Sequence, residues 1–154
     1  MIQIGSIKKT FLFILLMVAS SSVANAEIDG HRLSIGAGVV QLGDSSHTYF
    51  ALSGEYEYRL DPMLGLGTFV NYVFSDPGVT LIGLPEVFFH PLSNGWYINA
   101  APIAQFASGY STHFGVRLGT RIPIELGALS IIPQVAVDFI NGGRNLIFGL
   151  GISI

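Results

Sequence analysis

Cysteine is absent from the 154-residue chain. This absence excludes a disulfide framework, a zinc-finger site, a thiol nucleophile and a lipidated cysteine. Charged residues are scarce, at 11% of the chain, and lysine occurs only at positions 8 and 9. From Glu27 onward there are five arginines and ten acids, which gives a formal charge of 5 − 10 = −5. Because nucleic-acid binding requires a basic surface, we expect no nucleic-acid partner.

Long apolar runs are also missing, although half of the residues are apolar. No segment after residue 26 has the roughly 18 consecutive apolar residues of a membrane-spanning helix. The first 26 residues carry the three parts of a secretory signal: Lys8 and Lys9, the nine apolar residues 11–19, and the small-residue site at 24–26. Nine residues are too few for a helix to cross a bilayer, which takes about 20. We therefore predict a cleaved signal peptide at residues 1–26 and one exported domain at residues 27–154.

The chain does show an alternation of apolar residues with small or polar ones. In the last ten residues, Leu146, Phe148, Leu150, Ile152 and Ile154 fall on one face of an extended strand, because successive side chains of a strand point to opposite faces. The other face is mostly Gly, Ser and Asn. Turn-forming segments divide residues 27–154 into eight runs of about 11 to 15 residues, long enough for tilted membrane-crossing strands. The fourth and fifth runs are ambiguous. The pattern predicts an all-β fold, an eight-stranded antiparallel up-and-down transmembrane β-barrel.

Aromatic residues support the same interpretation. If the N-terminus is periplasmic, one girdle would hold Phe50, Tyr72, Phe74, Phe106, Phe114, Phe139 and Phe148, and the other would hold Tyr56, Tyr58 and Trp96. The mid-strand residues between these girdles are aliphatic. Aromatic ends and aliphatic middles are typical of the two interfaces of a membrane barrel.

Charged residues fall on the face opposite the apolar one, so we predict a filled polar interior. Its members would be Arg32, Glu55, Glu57, Arg59, Glu86, Arg117, Arg121, Glu125 and Asp138. An eight-stranded barrel is just wide enough for side chains to fill it, and buried charges must pair. We expect Glu55, Glu57, Arg117 and Arg121 to share one buried network. The alternative is a narrow charged channel, although filling by side chains disfavours it.

Four prolines lie inside predicted strands, where each removes a donor from the hydrogen-bond ladder. They are Pro85, Pro102, Pro123 and Pro133. The first two lie on either side of the fourth turn and the other two on either side of the sixth. Two interpretations remain open: bulges that add curvature, or a lateral opening through which lipid enters the barrel.

No metal-ligand spacing connects the four histidines, at positions 31, 47, 90 and 113. We expect no metal site and no cofactor. His47, with Asp44 to Ser46 in its loop and Ser75 and Asp76 in the next, forms a cluster that in principle could attack a lipid ester. Solvated loop residues are the simpler interpretation. No catalytic residue is assigned.

These features together resemble the small eight-stranded outer-membrane protein superfamily. The final Phe148-x-Leu150-x-Ile152-x-Ile154 is similar to the assembly signal of such proteins, although it ends in Ile where they usually have Phe. The resemblance implies location in the outer membrane of a Gram-negative bacterium, and insertion by the barrel assembly machinery. It also implies lipopolysaccharide and phospholipid as partners, and a monomer.

Within that superfamily, the paired prolines around the sixth turn look like the lateral gate of the lipid A palmitoyltransferase. Asp76 matches the aspartate of that family's Asp-Ser pair, but Pro77 stands at the serine position. The family's histidine has no counterpart in the first strand. The lipid A deacylases carry His-x-Ser where this chain has Asp138-Phe139-Ile140. Neither catalytic set is complete, so no activity is carried over.

The sequence thus favours a non-catalytic structural or surface protein of the outer membrane. A lipid A-modifying acyltransferase or deacylase with lateral lipid access, a narrow porin-like channel, and a soluble ligand-binding barrel are the alternatives.

Overall fold

The computed structural model describes residues 30–43, 46–92, 95–127 and 129–153. The predicted signal peptide, residues 1–26, lies outside these ranges. Within them the chain forms nine strands: β1 (His31–Gln41), β2 (Thr48–Arg59), β3 (Leu64–Val73), β4 (Val79–Phe89), β5 (Tyr97–Ala107), β6 (His113–Arg121), β7 (Ile124–Leu126), β8 (Leu129–Ile140) and β9 (Gly143–Ser153). Among the same residues, no helix is long and apolar enough to cross a membrane.

The strands close into a barrel. Each consecutive pair from β1 to β6 is antiparallel, β9 pairs with both β1 and β8, and β8 pairs with β6. β6 and β7 are two parts of one wall strand. Arg121 pairs with Gln134 and Ile124 with Ile131 in the same register, and the backbone N–H of Ile122 donates to the carbonyl of Pro133 at 3.2 Å. The prediction of a closed eight-stranded antiparallel barrel is therefore confirmed.

Tight turns join the strands. Asn141 and Gly142 connect β8 to β9 with φ of 51° and 77°, the positive values that a two-residue hairpin turn requires at both central positions. The Asp61 carboxylate accepts hydrogen bonds from the backbone N–H groups of Met63 and Leu64, at 2.7 and 2.8 Å. This turn ends β2 and begins β3.

The barrel has two ends, which we name by the chain. The near end holds His31 and Ser153, the two ends of the barrel sequence, and the far end holds Gln41 and Gly143. At the far end the exposed aromatic residues include Phe50, Phe74, Phe106, Tyr110, Phe114 and Phe139, and at the near end they include Tyr56, Tyr58 and Phe89. Phe148 is also exposed but lies at mid-strand, opposite Val135. The exposed aromatic residues therefore collect at the ends of the wall, apart from Phe148.

Large apolar side chains cover the outer face. On β9, Leu150 is 60% exposed and Ile152 43%, whereas Ile147 and Ser153 on the inner face are 4% and 6% exposed. Other strands contribute outward residues of the same kind: Leu66, Ile82, Val87, Ile98, Val116, Leu118, Ile131 and Val135. The outer face of the wall is therefore aliphatic between its aromatic ends, apart from Phe148.

The interior is polar only in part, which corrects the expectation of a polar interior throughout. Its far half is filled by a buried apolar cluster, comprising Val40, Ala51, Phe69, Val73, Val79, Leu81, Ala101, Ile103, Ala136, Ile140 and Ile147. Leu42, Tyr49 and Ala107 pack against this cluster. β4 and β5 contribute to it because they turn large apolar side chains such as Leu81 and Ile103 inward. Those are the strands whose alternation is ambiguous in the sequence.

A bulge in β4 explains that ambiguity. Gly83 pairs with Phe69, and Glu86 pairs with Gly67, so Leu84 and Pro85 together face the single residue Thr68. The extra residue shifts the alternation by one. Before the bulge the odd-numbered residues of β4 point inward, and after it the even-numbered residues do.

Candidate functional site

Glu57 is the centre of the buried charge at the near end. Its side chain is fully buried, and one carboxylate oxygen accepts a hydrogen bond from Arg32. The other oxygen, Oε1, lies 2.6 Å from His90 Nε2 and 3.3 Å from Arg59 Nε. β1, β2 and the end of β4 each supply one partner, so this cluster joins three wall segments through one carboxylate.

His90 is a member of this cluster that the sequence analysis missed. The residue is 3% exposed, and its Nδ1 lies 3.0 Å from Arg59 NH2. An arginine has no acceptor, so Nδ1 accepts this bond and the ring proton sits on Nε2, which donates to Glu57. The geometry therefore defines a neutral imidazole that links Arg59 to Glu57. The available signal was the alternation Glu86, Phe88, His90, which continues the inward face after the bulge.

A second ion pair lies next to the Glu57 cluster. Arg121 on β6 pairs with Glu55 on β2, and its Nε donates to Gln134 Oε1 at 2.9 Å. Tyr97 stands between the two groups, with its ring centroid 4.3 Å from the Arg32 guanidinium carbon and 5.9 Å from that of Arg121. The aromatic ring thus separates two arginines that would otherwise repel each other.

The third ion pair, between Arg117 and Asp138, is bidentate. Arg117 Nε donates to Asp138 Oδ1 at 2.6 Å, and NH2 donates to Oδ2 at 2.8 Å. The two side chains are 1% and 0% exposed. The Arg117 guanidinium also lies 3.9 Å from the centroid of the Phe69 ring. This bidentate pair therefore sits against the far-half apolar cluster and bridges β6 to β8.

Glu86 has a different kind of partner. Its Oε1 accepts a hydrogen bond from Asn99 Nδ2 at 2.5 Å, and the residue is 0% exposed. Glu86 stands directly after the β4 bulge, opposite Gly67. The bulge is what turns this carboxylate inward.

Eight of the nine residues predicted to form the polar interior point into the barrel. They are four arginines and four acids: Arg32, Arg59, Arg117, Arg121, Glu55, Glu57, Glu86 and Asp138. Arg59 is the most accessible, with its side chain 35% exposed at the near end. Equal numbers of the two charges suit a buried set, because each charge can be compensated within it.

Glu125 is the exception, and its predicted interior position is wrong. Glu125 lies on β7, which is exposed at all three residues, and its carboxylate accepts a hydrogen bond from the Ser130 hydroxyl at 3.1 Å. The pairing of β5 with β6 begins at Tyr97 opposite Arg121, so the hairpin beyond Arg121 has no β5 strand beside it. By strand alternation Glu125 would point inward, but it lies beyond the end of the barrel wall.

The four residues expected to share one network lie in separate groups. Glu55 and Arg121 pair with each other, Glu57 belongs to the Arg32 and His90 cluster, and Arg117 pairs with Asp138. A small cavity of about 10 Å³ lies along Ser34, Glu55, Tyr97 and Arg121. That volume is about one water. In the described part of the chain, the ion pairs of Glu57 and Glu55 lie in the near half of the lumen. The Arg117–Asp138 pair lies among the apolar cluster, because Asp138 alternates with Ala136 and Ile140 on the inner face of β8.

The four prolines divide into two unlike pairs. Pro85 and Pro102 flank an interruption of the β4–β5 ladder, because pairing stops at Gly83 opposite Ile103 and resumes at Val87 opposite Ala100. Pro123 lies in the two-residue break between β6 and β7, and Pro133 remains paired with Leu150 of β9. The register does not shift at this second pair. Of the two pairs, only Pro85 and Pro102 therefore coincide with a shift of register.

We expect the backbone amide of Leu84 to exchange with solvent about ten times faster, or more, than that of Ile82. Ile82 is paired in both neighbouring ladders, whereas Leu84 has a partner in neither described register. Local exchange follows local pairing when the barrel stays closed. Hydrogen exchange by NMR on the protein in lipid nanodiscs measures both rates. Equal protection of the two amides would contradict a weakened ladder at this site.

A larger cavity opens at the far end, with a volume of about 220 Å³. We call it the far-end cavity. It is lined by Leu42, Tyr49, Ser75, Asp76, Pro77, Val79, Gln105, Ala107, Tyr110, Ser111 and His113. Ser75 and Asp76 of the proposed ester-attacking cluster line it, and His47 lies exposed at the same end of the barrel. Asp44 and Ser45 of that cluster lie outside the described residues.

The described geometry at this rim does not activate Ser75 as a nucleophile. The Ser75 hydroxyl donates to the carbonyl of Pro77 at 2.7 Å, so its proton goes to a backbone acceptor and not to a histidine base. In the described segments, no group of three or more His, Asp or Glu side chains is placed to hold a metal ion.

The chain matches no protein-family model and no curated protein sequence. Its fold is similar to that of solved outer-membrane barrels. The N-terminal β-barrel domain of Pseudomonas aeruginosa OprF is 14% identical with a TM-score of 0.60, covering 79% of this chain and 95% of that one. Neisserial surface protein A is 12% identical with a TM-score of 0.63, over 82% and 97%. Ail, the attachment invasion locus protein of Yersinia pestis, is 11% identical with a TM-score of 0.54, over 82% and 98%. The chain therefore has the fold of the small eight-stranded outer-membrane barrels.

Proposed function

We propose that this chain is an integral, monomeric outer-membrane β-barrel with a sealed interior and a non-catalytic structural or surface role. One observation carries the proposal: the polarity of the wall is inverted. Leu118 and Leu150 are 49% and 60% exposed, while Arg117 and Asp138 are 1% and 0% exposed. A soluble barrel would keep such charges in water and bury the aliphatic residues. Hydrocarbon around the wall makes the inverted arrangement favourable.

Lipopolysaccharide and phospholipid are the partners that this outer face suits. Its exposed residues between the aromatic ends are aliphatic, apart from Phe148, and match acyl chains, and the exposed tyrosines at the near end match a membrane interface. Insertion by the barrel assembly machinery, after removal of a signal peptide at residues 1–26, completes the proposal. The far-end connections are short, such as the five residues 74–78 between β3 and β4. This leaves little material for an adhesive surface.

We expect the protein to stay in membranes washed with sodium carbonate or urea and to require detergent for release. The outward aliphatic residues would lose favourable burial on leaving the bilayer. Fractionation of a Gram-negative host that expresses the full chain tests this. Release into the wash would favour a soluble ligand-binding barrel.

We also expect no single-channel conductance in planar bilayers, because ion-paired and apolar side chains fill the lumen. Far-ultraviolet circular dichroism on the same preparation in vesicles verifies that the protein inserted as a β-barrel. Stable conductance steps from an inserted sample would favour the channel.

The lipid-modifying enzyme is the remaining alternative. Incubation of the purified protein with lipopolysaccharide, followed by mass spectrometry, tests it directly. A change in acyl composition that His47→Ala abolishes would replace the structural role by a catalytic one. The hydrogen bond from Ser75 to Pro77 is the reason that we expect no such change.

A further inference from the structure

The far-end cavity differs in kind from the remaining space inside the barrel. Its floor is apolar, since Val79 belongs to the buried cluster, and Leu42, Tyr49 and Ala107 pack against that cluster. Its rim is polar and comes from two places. Gln105 and His113 face each other at the ends of β5 and β6, and Ser75 and Asp76 lie on the connection from β3 to β4. The cavity is therefore amphipathic, with a defined apolar bottom and polar edge.

The size of the cavity restricts its occupant. A volume of about 220 Å³ equals that of about seven waters at roughly 30 Å³ each. Water molecules are poorly stabilised over an apolar floor, because a buried water needs two to four polar partners. The volume is also below the roughly 300 Å³ at which pockets for drug-sized ligands begin. A short alkyl chain, or the end of a longer one, fits both limits.

The charge of the rim restricts the head group. Asp76 is the acid that lines the cavity, and no arginine or lysine does so among the described residues. A carboxylate or phosphate head would therefore meet a like charge without a compensating cation. An uncharged head meets donors and acceptors. His113 Nδ1 lies 2.7 Å from Asn141 Nδ2, so Nδ1 accepts this bond and the neutral ring carries its proton on Nε2 as a donor. Gln105 offers both a donor and an acceptor.

We propose that the far-end cavity binds a short uncharged amphiphile. The saturated chain lies on Leu42, Val79 and Ala107, and a hydroxyl or amide head group lies at Gln105 and His113. This is a ligand site additional to the structural role above, and it depends only on the far-end geometry. If the far end faces outward, the ligand arrives from the medium or from the outer leaflet.

The test uses 1-octanol as the probe and the full mature barrel, methyl-labelled at Ala, Leu and Val, in lipid nanodiscs. We expect saturable chemical-shift changes at the methyl groups of Leu42, Val79 and Ala107. Octanol dissolved in the lipid shifts Leu118 and Val116 on the outer wall without saturation. Shifts that rise linearly at both sets of methyl groups would overturn the proposal.

A matched pair of variants locates the site. Ala107→Phe fills the cavity, whereas Ala104→Phe places the same ring on the outer side of the same strand, next to Phe114. We expect Ala107→Phe to weaken octanol binding at least about tenfold, and Ala104→Phe to leave it unchanged, because only the first removes the space. Leu42→Trp, in the connection after β1, is a second filling variant in case Ala107→Phe fails to fold. Equal weakening by Ala104→Phe, or wild-type binding in both filling variants, would contradict the location.

Octanoate tests the choice of head group. We expect octanoate at pH 7.5 to bind at least about tenfold more weakly than octanol, and Asp76→Asn to recover most of this difference by removing the like charge. If octanoate binds the wild type as tightly as octanol, the uncharged class is wrong. Conductance and membrane retention do not enter this test, so its failure is distinct from that of the proposed function.

Discussion

Replacing Asp138 by leucine is expected to lower the free energy of unfolding by about 3–5 kcal/mol, because it removes the carboxylate that is hydrogen-bonded to the buried Arg117 guanidinium. Both hydrogen bonds of the pair, at 2.6 and 2.8 Å, would be lost. Arg117 is 1% exposed and lies against the Phe69 ring of the apolar cluster. Desolvation of the unpaired charge is therefore the main cause of the loss.

The double variant Arg117→Met, Asp138→Leu separates this desolvation penalty from the net contribution of the ion pair to the free energy of unfolding. Apolar residues of similar volume often replace a buried ion pair with little change in stability. They would here extend the neighbouring apolar cluster, so we expect the double variant to lie within about 1 kcal/mol of the wild type. Urea unfolding in lipid vesicles measures all three proteins. Trp96 is the single tryptophan of the chain and donates to Thr120 at 2.7 Å, so its fluorescence reports on the near end.

Glu125→Gln is the matched control, because Glu125 is an acid with inward parity that lies outside the barrel. We expect a change below about 0.5 kcal/mol, as for other exposed sites. A loss in the double variant as large as in Asp138→Leu would show that the pair itself, and not the unpaired charge, stabilises the barrel. A small loss in Asp138→Leu would mean that water reaches Arg117.

The strands were predictable because their signal is local. Alternation with period two, as in Leu146 to Ile152, needs no knowledge of neighbours. The same holds for turn residues such as Asn141 and Gly142. An eight-run pattern with charge on one face then leaves few arrangements other than a closed barrel, and the structure has that barrel.

The interior was only partly predictable, for two physical reasons. First, a large apolar residue looks the same in sequence whether it points to hydrocarbon or to an apolar core, so Leu81 and Ile103 could not be placed. Second, a bulge changes parity without changing composition. Pro85 marks the bulge, but the sequence does not say that Leu84 and Pro85 together oppose one residue. The inward position of Glu86 and His90 depends on that shift.

The ends of the barrel were not predictable either. Glu125 has the same parity as Arg117 and Arg121, and only the length of β5 decides that it lies beyond the wall. The far-end cavity depends on how loop residues such as Ser75 and Asp76 return over the apolar cluster. Such positions come from the pairing of distant strands, which a single sequence does not contain.

Leu118→Arg is expected to destabilise the barrel by about 2–4 kcal/mol, which is the penalty for a cation on the lipid side near the bilayer centre. Leu118 is 49% exposed and lies between Ala100 of β5 and Val137 of β8. Arginine at this position loses aliphatic contact with acyl chains and places a charge in hydrocarbon. Reversible urea unfolding in vesicles, followed by Trp96 fluorescence, measures the change.

Ile124→Arg is its control, because Ile124 has the same exposed fraction, 49%, but lies on β7 at the near end. At a membrane interface the expected penalty falls to about 0–1 kcal/mol. The two side chains are equally exposed in the structure. A difference between the two losses of stability therefore reports the depth of each residue in the bilayer and not its solvent accessibility. Equal effects would mean that water, not lipid, surrounds Leu118, and the buried charges at Arg117 and Glu57 would then need a different explanation.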